Sequence, residues 1–424
     1  MPTFAPLEGV RVLSFELAFS LPAGTRALHD LGADVVRVSP PERRHDRYIS
    51  VIDGVFHGKR SMGIDLTNDR GRTLARRLAL AADVVCNNFR PAVLGKYGLD
   101  EATLRQEKPE LICLQLSGYG TPGPWSNYPA FGPSTEAAGG FNRLMYAEDE
   151  IPTRLNTGVF SDQLAGRHAA LAIVAALQRR RETGAGAGID LSMTACITHL
   201  LGENMTRASM LAETPAFTGN RDDRFVPQGV YRTAGDDEWI AISVTSDEAW
   251  RALCTQLNNP QLHPRLDPDA DRAARLLVHD DIDRAISEWT APQHKDEIAI
   301  SLQAIGVAAA PVRTVADAGL DPQFAARGTL QAVVHDEPKM GFNSHPHPVL
   351  PWHIDGFDRR QLTDYRHTGA DNRTALADWL DVSSSECDAL LASSALHEEG
   401  PMSLAPRPEG PPRDPNFGDK LGLR

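Results

Sequence analysis

Residues 10–38 read VRVLSFELAFSLPAGTRALHDLGADVVRV, and the fold is decided by this stretch. Val10–Phe15 is a short apolar run with β-branched residues, the pattern of a strand buried on both faces. Ala23–Leu31 follows with residues compatible with a helix, and Gly32 is placed to end it. Asp34–Val38 then returns to a β-branched run. Strand, helix, glycine and strand at this spacing form a βαβ unit, in which the strands are parallel and the helix crosses the sheet.

The pattern repeats downstream. Arg70–Ala82 sets Leu74, Leu78 and Ala82 on one helical face and precedes the strand Asp83–Cys86. Pro91 and Gly98 punctuate a loop, and a helix over Glu101–Lys108 leads into the strand Leu111–Leu116. The chain therefore opens as α/β, a doubly wound, Rossmann-like parallel sheet. A long helix is expected over Gln163–Arg181, with Leu164, Ala165, His168, Leu171, Ala172, Ala175 and Ala176 on one face. Its basic end suits the negative pole of a helix dipole. A turn over Thr183–Gly188 precedes the strand Ile189–Leu191.

Near residue 225 the character changes. Gly229–Arg232 and Trp239–Val244 flank an Ala-Gly-Asp-Asp turn, a hairpin signal, and helices then dominate Ser246–Ala304 before an extended piece at Ala309–Val312. The expected organisation is a large α/β domain over 1–224 and a small α+β domain over 225–330. A return segment over 331–397, with helices at Arg373–Leu380 and Ser385–Leu391, completes the large domain. Residues 398–424 form a Pro-rich, exposed tail.

Composition narrows the function. The 424 residues carry 43 Lys+Arg against 56 Asp+Glu, a net charge of −13, and 42% are apolar. An apolar fraction of this size supports a packed core, and the acidic balance argues against a nucleic-acid binder. The apolar stretch Ala169–Leu177 is far shorter than the roughly 20 residues that span a bilayer. The N-terminus has no signal-peptide pattern. Five scattered cysteines without a CxxC pair read as reduced thiols, so a cytoplasmic protein is expected. No metal site is expected either: the fourteen histidines include no HxxxH or HExxH, and His345 and His347, flanked by prolines, read as a loop. A nicotinamide or flavin cofactor is also disfavoured. The first βα turn, ELAFSLPAG over Glu16–Gly24, lacks the glycines that admit a pyrophosphate.

Several segments together carry a resemblance. These are Pro6–Val38, Gly58–Leu66 (GKRSMGIDL), Asp83–Gly98 (DVVCNNFRPAVLGKYG), Leu116–Pro124 (LSGYGTPGP) and Gly158–Asp190. In order and spacing they resemble the class III coenzyme A transferases, the superfamily of formyl-CoA transferase, carnitine-linked CoA-transferases and α-methylacyl-CoA racemases. The likeness extends to Leu396. Asp162 reads from the residues alone as a helix N-cap, accepting backbone N–H bonds. By the resemblance it matches the family's nucleophilic aspartate, which relays coenzyme A through an aspartyl anhydride and an aspartyl-CoA thioester.

The resemblance also implies coenzyme A or acyl-CoA as substrate, with no tightly bound cofactor, a carboxylic acid acceptor, and an interlocked homodimer. A related second subunit is the alternative partner. Asn88 and Phe89 match positions beside the nucleotide, Lys96 is placed to meet a phosphate, and Lys59 and Arg43 are further phosphate candidates. Phe19, Leu21, Phe131 and Gly132 fall in the acyl pocket. Phe19 stands where formyl-CoA transferase has glutamine, and Ser20-Leu21-Pro22 replaces the usual Ala-Gly-Pro. Phe131 and Gly132 replace the His-Asp pair of the racemase branch, which removes one of the two bases that proton exchange needs. Gly132 also replaces the glutamate of formyl-CoA transferase, so oxalate-type specificity is not expected, and the stretch Gly219–Trp239 resembles relatives acting on aromatic or dicarboxylic acids. The acyl-CoA isomerase and the non-catalytic subunit remain the rival functions.

Overall fold

The structure, a computed structural model, describes residues 4–41, 54–145, 160–212, 218–257, 266–339, 342–357 and 359–399. Arg43 and residues 400–424 of the Pro-rich tail lie outside the described residues. The chain divides into two compact units, one formed by described residues 4–144, 160–212 and 322–399, the other centred on 216–321. The second unit thus begins and ends earlier than the 225–330 read from the change in sequence character.

The first unit holds six parallel strands, β1 (Arg11–Phe15), β2 (Asp34–Ser39), β3 (Arg60–Gly63), β4 (Val84–Asn87), β5 (Ile112–Ser117) and β6 (Ala187–Ser192). Their order is β3-β2-β1-β4-β5-β6. Helices α1 (Ser20–Asp30), α2 (Asp69–Ala81), α3 (Glu101–Glu107), α4 (Gly132–Ala138), α5 (Phe160–Thr183) and α6 (Met193–Leu200) accompany them. Alternate strand residues serve opposite faces. Val12, Val35 and Val84 meet Leu28, Ala165, Ala169 and Ile173 of α1 and α5. Leu13, Val36 and Val85 meet Leu74 and Leu78 of α2, together with Leu376 and Trp379 of the late helix Asn372–Leu380. Both faces are covered, which explains why these strands read as apolar runs rather than alternating ones.

Local signals set the boundaries. Asn68 caps α2 by accepting the Arg70 and Gly71 amides, and Asp100 caps α3 through Thr103. The long helix differs from its sequence reading in two ways. It begins at Phe160, so Asp162 is its third residue, inside the first turn rather than at the cap. Its buried face is also different: Ala165, Gly166, Ala169, Ile173 and Ala176 are covered, whereas Leu171 is 65% exposed. Ala165, Ala169, Ile173 and Ala176 run at i, i+4, i+8 and i+11, and Gly166 lies beside them.

The reason is a close helix pair. A Cβ on Gly24 of α1 would lie 2.6 Å from the Gly166 carbonyl oxygen, and one on Gly166 would lie 2.5 Å from the Ser20 carbonyl oxygen. Only glycine at both positions permits this approach. The helices pack backbone to backbone, and the N-terminus of α1 comes to rest beside the first turn of α5.

His345 and His347, expected in a loop, lie on β11 (Phe342–Pro348), which pairs antiparallel with β10 (Leu330–Lys339). The second unit has its own antiparallel sheet, β7 (Gln228–Arg232), β8 (Trp239–Ser243) and β9 (Ala308–Pro311), with its own core of Ile240, Ile242, Trp250, Leu253, Ile282 and Leu302. No helix among the described residues is long and apolar enough to cross a membrane.

Gly166→Ala is expected to lower stability by about 1–3 kcal/mol, because the new methyl forces backbone apart in a packed interface. Thermal or urea unfolding of the purified variant reads this directly.

Candidate active site

The strand order reverses between β1 and β4, and ligands of open parallel sheets bind at the carboxyl edge of such a switch point. A cavity of ≈ 1020 Å³ opens there. Its wall includes Leu17, Ala18 and Ser20 after β1, Asn88, Phe89 and Arg90 after β4, Ser117 at the end of β5 and Gly118 after it, Phe131, and Asp162. Among the described residues, Arg90 is the one basic side chain on this wall.

Asp162 is 7% exposed. Burial, and next the negative charge of Glu136, push its carboxyl up to about 6, against the pull of the backbone N–H groups of Asp162 and Ser20. Glu136, itself buried on α4, accepts the Ser161 amide at 3.1 Å. The Ser161 hydroxyl donates to the Gly132 carbonyl at 3.1 Å, so α4 is fastened to the first turn of α5 through the backbone and the side chain of the residue before the nucleophile candidate. Two helix N-termini, those of α1 and α5, thus converge on one buried carboxylate. Their amides supply positive potential where negative charge must be held.

The loop that delivers Ser20 is pinned by Asn88. Its side chain accepts the Leu17 amide at 2.7 Å and donates to the Leu17 carbonyl at 2.7 Å and to the Ser20 hydroxyl at 3.2 Å. Within this loop Ala18 has φ +54°, a left-handed conformation that costs a non-glycine residue about 1 kcal/mol. The strain sits on the cavity wall, where local strain commonly accompanies function.

Beneath the loop, Lys59 and Glu16 form a fully buried ion pair. Glu16 also accepts hydrogen bonds from Ser14 at 2.7 Å and Thr25 at 2.6 Å, and Lys59 donates to Thr25 at 2.8 Å. Burial pulls the Lys59 ammonium down to about 8, with Glu16 acting in the opposite direction. Lys59 is therefore committed to a structural pair under α1 and is not a phosphate contact on the cavity wall.

The other sequence candidates separate similarly. Phe89 and Phe131 face the cavity, the latter 73% exposed. Lys96 is exposed on the turn Leu94–Tyr97, whose Tyr97 lines the cavity. Leu21 is fully buried against the α1–α5 core, and Phe19 packs with Ala23, Val55 and Phe56, so neither lines the cavity. Gly132 is buried and opens α4 behind Phe131. Leu21 and Phe19 turn away because α1 begins at Ser20, one turn earlier than its sequence reading. Glu136, Arg90 and Ser20 are site residues that sequence reading did not single out. Arg90 belongs to the quoted FRP segment, in which the sequence reading takes Phe89 as a neighbour of the nucleotide and Pro91 as loop punctuation. For Glu136 no local signal exists, since its role arises from packing of α4 on α5.

Asp162→Asn is expected to stabilise the fold above pH 6 by about 3 kcal/mol. The folded-state value is raised above the ordinary one, so ionising the buried carboxyl costs stability as pH rises from about 4 to about 6. The gain should vanish below pH 4, and unfolding midpoints of the two proteins across this range measure it.

Residues 7–372 match the family described as CoA-transferase family III. A probable CoA-transferase from Mycobacterium tuberculosis is 31% identical over 350 residues, covering 78% of this chain and 43% of that protein. A succinyl-CoA–D-citramalate CoA-transferase from Chloroflexus aurantiacus is 31% identical over 349 residues, covering 79% of this chain and 85% of that one. Among solved structures, a CAIB/BAIF family protein from Brucella suis superposes with a TM-score of 0.78 at 27% identity, covering 88% of this chain and 99% of the other.

Proposed function

The chain belongs to CoA-transferase family III, and from that premise we propose that it moves coenzyme A between carboxylic acids with Asp162 as covalent nucleophile. The observation that carries this reading is the buried carboxylate on the cavity wall, met by the N-termini of two helices. An Asp162 oxygen attacks the thioester carbonyl carbon of the donor. The C–S bond breaks, leaving an acyl-aspartyl anhydride and coenzyme A thiolate. The thiolate attacks the aspartyl carbonyl, the anhydride C–O bond breaks, and the donor leaves as a carboxylate. The acceptor carboxylate then displaces the thiolate from aspartyl-CoA, and the thiolate finally attacks the acceptor carbonyl and frees Asp162. Protons and electrons balance throughout.

Each residue has a task in this sequence. Desolvation keeps Asp162 more basic than an ordinary carboxylate and therefore a better nucleophile near neutral pH. The amides at the two helix starts, held by Asn88 and by the Gly24–Gly166 contact, face the charge that develops on the attacked carbonyl. A cavity of this size accommodates an extended ligand and shelters the anhydride from water. Arg90, with Lys96 on the neighbouring turn, is assigned to the phosphates, Phe89 to the nucleotide end and Phe131 to the acyl group. Phe131 and Gly132 offer no acid or base, so the His-Asp pair that the racemase branch sets against its aspartate is lacking at those two positions. The assembly is taken to be a homodimer, tested by mass in solution with and without a related chain.

Incubation with a panel of acyl-CoAs should leave an acyl or coenzyme A adduct on the intact protein, trapped by hydroxylamine at Asp162 and absent from Asp162→Ala. No adduct from any donor, despite coenzyme A binding, would sink the covalent reading. The rate should fall as pH drops through about 6, as Asp162 takes up a proton. Glu136→Gln, which keeps an acceptor for Ser161 but removes the charge, should move that fall to lower pH; an unmoved profile contradicts the assignment.

A further inference from the structure

A second polar cluster lies in the first unit, among residues the transferase chemistry does not use. His57, in the loop before β3, meets His345 and His347 of β11 with ring centroids 5.6 Å and 5.0 Å away, and the latter two are 5.9 Å apart. One ring nitrogen from each lies within 4.8 Å of the others. We propose that His57, His345 and His347 form a binding site for one divalent transition cation, with zinc the best-suited ion.

His57 is prepared as a ligand. It is 2% exposed, and its Nδ1 hydrogen-bonds to the Thr363 carbonyl at 2.7 Å. Only a protonated Nδ1 can donate to a carbonyl, so Nε2 carries the lone pair, and Nε2 is buried without a hydrogen-bond partner. A carbonyl fixing one ring nitrogen while the other points to a cation is the arrangement that orients metal-bound histidines. An orphaned buried acceptor otherwise costs about 1–3 kcal/mol.

The spacing suits the ion. Tetrahedral zinc with nitrogen ligands at 2.0–2.1 Å places those nitrogens about 3.4 Å apart. The three ligand nitrogens, within 4.8 Å of one another, therefore need to close by at most about 1.4 Å along each edge. Three imidazoles leave the fourth position to water, and imidazole suits zinc, copper and nickel, whereas calcium and magnesium prefer oxygen. Backbone at Gly54 crowds the same ring, since a Cβ there would fall 1.4 Å from His347 Nε2.

One neighbour competes. An Arg26 guanidinium nitrogen lies 2.5 Å from His347 Nε2, while a second donates to the Pro348 carbonyl at 2.7 Å and Nε pairs with Asp30 at 3.3 Å. Metal entry requires Arg26 to release the ring and keep its other two partners. Occupancy would tie β11 to the loop at His57, residues far apart in sequence but joined through one ion.

The test uses the tag-free full chain, stripped with chelator and titrated with zinc alone in a competing buffer, then with cobalt. The expected result is one zinc per chain and the intense visible absorption of four-coordinate cobalt. In His57→Asn and His345→Asn affinity should fall about 100-fold or more, beyond the loss seen for outer-sphere partners. A wild-type chain that retains no zinc at one equivalent overturns the proposal. So does wild-type affinity in either variant, since the ion then sits on other residues.

Discussion

Everything at the proposed site depends on two glycines. Gly24 and Gly166 let α1 and α5 touch through their backbones, and the contact fixes the distance between the Ser20 amide and the Asp162 carboxylate. A wider helix pair would leave the carboxylate facing its own helix alone. As built, it is desolvated, pushed up by Glu136 and steadied by amides from two directions. The arrangement raises the cost of an ionised carboxylate in the resting protein and offsets that cost with dipoles that remain in place as charge develops. Stability given up at a buried acid is a common accompaniment of function.

The frame around this contact is polar, with a fully buried ion pair at its base. Glu16 and Lys59 sit under α1, satisfied by Ser14 and Thr25, and Asn88 closes the loop above them. A buried ion pair contributes little net stability, and losing one member leaves an isolated charge worth about 3–5 kcal/mol. Its value here is in register: Lys59 precedes β3, Glu16 follows β1, and their pairing sets where α1 begins. This is why a lysine that resembles a phosphate ligand in sequence is a support beam in the fold.

The sheet was readable in the sequence because its physics is local. Runs such as VRVLSF and DVVRV are buried on both faces, and glycine and proline mark the turns between them. Asp162 stands out in the sequence as a helix-start carboxylate, and only the ordered likeness to known transferases singles it out as the proposed nucleophile. What failed depended on helix phase. Starting α1 at Ser20 rotates Leu21 into the core and Phe19 into a separate cluster, and Leu171 on α5 points outward because the glycine contact chooses the face. Glu136 and the histidine trio were invisible for a different reason. Their members are brought together by packing across 26 residues in one case and more than 280 in the other, and no spacing rule spans either distance.

The central claim is that the Asp162 carboxylate exchanges its own oxygen in every turnover. An acceptor acid carrying heavy oxygen in its carboxylate measures this most directly, with any donor that supports transfer. After turnover, the proteolytic peptide containing Asp162 should carry the heavy isotope on that side chain, because the anhydride passes an acceptor oxygen to the aspartate. Coenzyme A transfer that proceeds while this peptide keeps its natural mass would contradict the account.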